Sequence, residues 1–352
     1  MAAPAWLETT RRDVLNAVHH FIDADCALAL RGGSVDLAER ILRDMLADGK
    51  CLRSTFLYLG WRCGADDRTE AIRAAASFEF LHVFALVQDD VMDESALRRG
   101  RPSAHRAFES WHAQRGLPGS SSRFGESAAV LLGDLCLVWA EQMLRESGLT
   151  PSALQRAWPR YDAMRTELAV GQFADLVNDT GGFPTLDDVL DVARRKSGNY
   201  TVRRPLEIGA ALADCDDAVL AALGAYGEAV GEAFQLRDDL LGVFGSPDTT
   251  GKPAGTDLLA RKATTVVVAA YELASGAQQR QLKELMSAER LNDADVEQWQ
   301  HVIAEVGTVA VIESMIGDRC ARAIDVLEAA PIDAEARTAL VAMASTCTER
   351  AA

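Results

Sequence analysis

The chain has 352 residues, 49% of them hydrophobic, which is enough for a large core and, by length alone, could form two domains. Acidic residues outnumber basic ones 52 to 36, and the net charge of −16 argues against nucleic acid and anionic membrane surfaces as partners. The seven scattered Cys show no CxxC or zinc spacing and fit a reduced cytoplasm.

Met1 to Arg12 has no signal-peptide core. Ala, Leu, Glu and Arg dominate, and β-branched alternation is scarce, so the reading is helical almost throughout. Val35 to Leu46 reads as a helix, with Gly49 where a C-terminal cap is wanted, and Cys51 to Trp61 as a second. Thr69 to Asp93 is a long helix, apolar nearly all round through Phe78, Phe80, Leu81, Phe84 and Val87, and a helix of that kind is buried. Pro118 to Ser122 reads as an exposed loop. Ser127 to Ser147, Pro151 to Val177 and Leu186 to Leu212 follow as helices, the second bent near Pro159. The longest apolar run, Ala128 to Ala140, is broken by Asp134 and too short to span a bilayer, so no stable membrane insertion is expected. Asp217 to Leu241 is a further helix, and Ser246 to Gly255 a loop. Thr265 to Leu273, Gln278 to Ala288, Asp293 to Glu305 and Thr308 to Ala329 complete an all-α chain. No stretch has the composition of an interdomain linker, and residues 1–352 read as one large helical bundle.

Two acidic clusters carry the chemistry. Asp89-Asp90-Val91-Met92-Asp93 closes one apolar helix, and Asp238-Asp239-Leu240-Leu241 closes another. Carboxylates at the end of a greasy helix are costly unless cations meet them. Asp89 and Asp93 are i and i+4, one above the other, and hard oxygen ligands facing one way suit Mg²⁺ completed by substrate phosphates. Arg98, Arg99 and Arg101 follow directly, so a metal site stands beside a phosphate site.

These residues, with others in a fixed order, resemble the trans-isoprenyl diphosphate synthases, the polyprenyl synthetase family. The ordered set comprises Gly49-Lys50-Cys51-Leu52-Arg53, His82, the first cluster with Arg98-Arg99-Gly100-Arg101-Pro102, Gly171-Gln172 with Asp175, and Lys196-Ser197-Gly198-Asn199-Tyr200-Thr201. It continues through Phe234-Gln235-Leu236-Arg237-Asp238-Asp239 and Gly251-Lys252-Pro253 to Asp257 and Lys262, spanning residues 49 to 265. A lone DDxxD is weak evidence, but the ordered set is specific. Three positions depart from the family pattern: Asp48 for a Gly, Ser54 for a Pro after Arg53, and Gly242 for the third Asp of the second motif.

The resemblance implies an isoprenoid synthase bundle around a central cavity, a homodimer, and condensation of isopentenyl diphosphate with an allylic diphosphate (dimethylallyl, geranyl or farnesyl). It implies three Mg²⁺ held by Asp89, Asp93 and Asp238, with Asp90 and Asp239 as ligands through water or hydrogen-bonded supports. Arg98, Lys196, Lys252 and Lys262 would hold the allylic diphosphate, with Ser197, Thr201 and Gln235 as polar partners. Lys50, Arg53, His82 and Arg99 would hold the second diphosphate. His82 lies seven residues before Asp89, about 10 Å along the helix axis, too far for the same metal cluster but right for a second anion; a satisfied core histidine is the competing reading. Phe84 and Ala85, just before Asp89, would set chain length, a large and a small residue favouring a C20 product with C15 as runner-up; ordinary core packing explains Phe84 equally well by periodicity. A class I terpene cyclase would have no use for Lys50, Arg53 and His82, and a non-catalytic partner subunit would tend to lose carboxylates that are kept here.

Overall fold

A computed structural model describes residues 4–31, 36–47, 49–178, 183–245, 254–288 and 290–349. Asp48, Gly251, Lys252 and Pro253, and most of the expected 246–255 loop, lie outside them. Packing divides the chain into two compact units, Met1–Arg156 and Ala157–Ala352.

The first unit begins with α1 (Ala5–Phe21), a π-helical turn (Ile22–Cys26) and α2 (Ala27–Arg31), none of them expected. Leu7, Thr10, Val14, Val18 and Phe21 recur at helical spacing along α1 and are buried. Next come α3 (Asp36–Ala47), α4 (Leu52–Arg62) and α5 (Thr69–Met92), each close to its expected bounds. A two-residue hairpin, β1 (Leu97–Arg98) with β2 (Arg101–Pro102), turns the chain through Arg99 and Gly100, both at positive φ. It leads into α6 (Ala104–Gln114), also unexpected, and α7 (Ser121–Arg145). The α7 helix starts inside the expected loop because the Ser120 side chain accepts from the Arg123 backbone N–H, an N-cap at the point where Gly119 ends the turn.

Helix α5 is the axis of this unit, packed along α7 and covered by α4 and α1. Its all-round apolar sequence is buried as expected, with Phe78, Phe80 and Leu81 fully enclosed. Phe80 meets Phe21 edge-on at 5.4 Å and Trp139 at 6.3 Å. The α7 helix is long and apolar enough, by length and composition, to cross a membrane, which the interrupted run from Ala128 to Ala140 does not suggest; 44% of its most apolar stretch is buried.

The helix α8 (Pro151–Asn178) includes Pro159 and spans the boundary between the units. The expected helix from Leu186 to Leu212 is instead α9 (Leu186–Val192), a π-helical stretch (Ala193–Arg203) and α10 (Arg204–Leu212). The second unit then contains α11 (Asp217–Phe244), α12 (Thr256–Leu259), α13 (Thr265–Leu273), α14 (Gly276–Ser287), α15 (Asp293–Glu305), α16 (Thr308–Ala329) and α17 (Ala334–Thr348). Its core gathers Leu236, Leu240 and Val243 of α11 with Val266, Val267, Trp299, Ile303 and Ile312. Arg237, one residue before the second acidic pair, donates to both Glu313 oxygens at 2.6 and 2.7 Å and to the Thr348 carbonyl at 2.8 Å, locking α11 to α16 and α17.

Candidate active site

The apolar core of α5 forces its polar end into the open, because the helix stops at Met92 and Asp93 serves as its C-cap, donating its N–H to the Asp89 carbonyl at 2.8 Å. Asp90 is fully buried, and burial pushes its carboxyl upward while the Arg98 guanidinium pulls it back. Arg98 is clamped onto Asp90, with Nε at 3.0 and 3.2 Å from its two oxygens, and its Nη2 reaches Asp89 at 3.5 Å. The hairpin is what allows this, since it folds Arg98 back over the end of α5. Arg98 thus pairs with Asp90 and reaches Asp89, placing one guanidinium against the first cluster.

His82 stands two turns earlier on α5. Its Nδ1 is buried with no hydrogen-bond partner among the described residues, although the ring keeps some exposure. Burial holds it well below the usual imidazole range, and the positive charges of Arg53, Arg99 and Arg98 push the same way. The imidazole and these three guanidinium groups thus act on one another, and the buried Nδ1 without a partner among the described residues sets His82 apart from a hydrogen-bonded core histidine. Lys50 is exposed just before α4, Arg53 lies in its first turn, and Arg99 also donates to the Met45 carbonyl at 3.3 Å. Phe84 and Ala85 are half-buried on α5, five and four residues before Asp89.

In the second unit the π-helical stretch carries the Lys196-to-Thr201 motif. Its path depends on two glycines: a Cβ on Gly231 of α11 would stand 2.6 Å from the Gly198 carbonyl oxygen, so the two backbones touch where they cross. Lys196 Nζ lies 2.5 Å from Asp175 of α8, joining two members of the ordered set. Ser197 is half-buried beside it. Thr201 is fully buried and its Oγ1 has no partner among the described residues, so it is a core position in this arrangement.

Asp239 is enclosed, and burial raises its carboxyl to about 7; it accepts from Gln235 Nε2 at 2.7 Å and from the Thr265 backbone N–H at 3.0 Å. Gln235 thus serves the support of the second pair, while Asp238 keeps partial exposure one residue away. The departure at Gly242 has a steric cause. A Cβ there would overlap the Asp257 carboxylate, so a third Asp at 242 and the present placement of Asp257 exclude each other. The Lys262 backbone N–H donates to the Asp257 carbonyl at 2.9 Å, closing the turn that follows α12.

Each acidic cluster offers oxygen donors only: Asp89 and Asp93 at the end of α5 in the first unit and, taken by itself, Asp238 on α11 in the second. Hard carboxylate oxygens fit Mg²⁺. Among the described residues no three His, Cys, Asp or Glu side chains are gathered closely enough to chelate an ion on their own.

A family model described as polyprenyl synthetase matches residues 35–303. The geranylgeranyl diphosphate synthase of Mycobacterium tuberculosis is 34% identical over 282 residues, covering 80% of this chain and 75% of that protein. The geranylfarnesyl diphosphate synthase of Aeropyrum pernix is 31% identical, covering 84% of this chain and 88% of that one. The crystal structure of the geranylgeranyl pyrophosphate synthase from Corynebacterium glutamicum, complexed with isoprenyl diphosphate and magnesium, superposes with a TM-score of 0.93 at 34% identity, covering 98% of this chain and 99% of that one. With the ordered motifs, the all-α fold and these likenesses in agreement, the chain belongs to the polyprenyl synthetase family.

Proposed function

We propose that this chain is a Mg²⁺-dependent prenyltransferase that condenses isopentenyl diphosphate with allylic diphosphates, and that its main product is geranylgeranyl diphosphate, with farnesyl diphosphate as runner-up. The observation that carries the reading is the set of Arg53, Arg99 and Arg98 facing His82, two turns from Asp89 on one helix. A metal-bound diphosphate near Asp89 and a second diphosphate near His82 are what a two-substrate condensation requires, and a cyclase requires only the first.

Three Mg²⁺, held by Asp89, Asp93 and Asp238, would neutralise charge developing on the departing pyrophosphate. Asp90, paired with Arg98, and Asp239, held by Gln235 and the Thr265 backbone N–H, would support the metal-binding aspartates beside them. Arg98, Lys196, Lys252 and Lys262, with Ser197, bind the allylic diphosphate. Lys50, Arg53, His82 and Arg99 bind isopentenyl diphosphate, whose double bond attacks the allylic cation before a proton is lost. Apolar surface from α5 keeps water from that cation. The two units act as one isoprenoid synthase domain working in the cytoplasm.

Two diphosphate sites predict a split in kinetics. Arg53→Ala should raise KM for isopentenyl diphosphate about tenfold or more with little change for the allylic substrate, and Lys252→Ala should do the reverse, since each removes charge-assisted hydrogen bonds to one substrate only. Equal effects of either variant on both substrates would reject the assignment.

The active protein is a homodimer. Leu131, Leu135 and Val138 form one exposed apolar face of α7, at 63, 37 and 60% exposure, spaced so that all three point the same way. Sedimentation at micromolar concentration should give twice the chain mass, and Leu131→Glu should shift it towards monomer; a monomeric wild type would overturn this reading.

A further inference from the structure

Beneath Arg53 lies a buried carboxylate that the family pattern gives no role. Glu79 is 4% exposed, and Ser54, which stands where the family pattern has Pro, is fully buried. The Ser54 hydroxyl donates to Glu79 Oε1 at 2.6 Å, tying the first turn of α4 to the middle of α5. A carboxylate taken out of water is costly unless its oxygens are engaged. Here the segment before α4 wraps around it. A Cβ on Gly49 would stand 3.0 Å from Glu79 Oε2, Cys51 enters α4 from a left-handed conformation at φ 51, and the Gly49 carbonyl is held from the other side by Arg11 Nε at 2.8 Å. Glu79 and His82 are i and i+3 on α5, so the carboxylate and the imidazole sit on adjoining positions of one face. The positive charges of Arg53 from α4 and Arg99 from the hairpin act on Glu79, and both act on His82 as well.

We propose that Glu79 is a positioning residue for isopentenyl diphosphate binding: through Ser54 it fixes the first turn of α4, and so holds the Arg53 guanidinium towards His82. The serine at 54 is then an asset of this chain, since proline offers no side-chain donor to the carboxylate. The proposal rests on the assignment of Arg53 to that diphosphate.

The test is a set of steady-state measurements on the full chain, with KM for each substrate and kcat, for Ser54→Ala, Glu79→Leu, Arg53→Ala and the double variant Ser54→Ala with Arg53→Ala. Thermal unfolding of each variant is recorded alongside, and Glu79→Leu, which removes the acceptor, approaches the same contact from the other side if Ser54→Ala does not fold. Ser54→Ala and Glu79→Leu are each expected to raise KM for isopentenyl diphosphate about tenfold, with the allylic KM and kcat within about twofold of wild type. In the Arg53→Ala background the further loss from Ser54→Ala should vanish, because both act through one guanidinium. A rise shared by both substrates, a fall confined to kcat, or full additivity with Arg53→Ala would overturn the positioning role while leaving Arg53 in place. If Arg53→Ala itself leaves KM for isopentenyl diphosphate unchanged, the anion-site assignment fails, and the positioning role with it.

Discussion

Asp89→Ala is expected to lower turnover by at least about a hundredfold, and Asp238→Ala by a similar factor. Each removes a hard oxygen donor, Asp89 from the last turn of α5 and Asp238 from within α11. For Asp89 the effect has a second source. Arg98 now spans Asp90 and Asp89, and without Asp89 its guanidinium is left to Asp90 alone, closing over the place where a cation would sit. Both aspartates keep partial exposure, and thermal unfolding of each variant separates a loss of metal binding from a loss of fold. Turnover measured at saturating Mg²⁺ and both substrates checks this; a variant near wild-type turnover would show that its carboxylate does not hold the metal.

Phe84→Ala is expected to lengthen the product by roughly one five-carbon unit or more, and Ala85→Phe to shorten it, because a ring removed from the floor of the elongation cavity leaves space that a growing chain can fill. Phe84 lies about 7.5 Å below Asp89 along the α5 axis, and Ala85 one turn below it. Both are half-buried, unlike the fully enclosed Phe78 and Phe80 on the same helix, which fits side chains that border a space. Chromatography of the hydrolysed products gives the lengths directly. An unchanged distribution in both variants would place the floor on another helix.

The all-α reading was legible because its signals are local. Thr265 to Leu273, Asp293 to Glu305 and Thr308 to Ala329 match their expected bounds, the first two behind side-chain N-caps at Thr264 and Asn292. The stretch from Ala193 to Arg203 was not legible as π-helix, since its register follows from the crossing of Gly198 and Gly231, thirty-three positions apart. The α1 helix was missed although its buried positions repeat at three- and four-residue spacing, a signal present in the sequence. Among site residues, the ordered motifs singled out Asp90 but not its partner, because only the hairpin turn brings Arg98 back over α5. Ser54 and Gly242 could be noted as departures and no more. Their reasons, Glu79 and Asp257, lie twenty-five and fifteen residues away in the chain and become visible only in three dimensions.

The most direct measurement is product analysis with the purified chain, Mg²⁺, labelled isopentenyl diphosphate and each of dimethylallyl, geranyl and farnesyl diphosphate in turn. A single all-trans C20 diphosphate should accumulate from all three primers, and nothing should form when the metal is chelated. No elongation of any primer, or conversion of a primer to a cyclic hydrocarbon without uptake of label, would contradict the assignment of this chain as a condensing prenyltransferase.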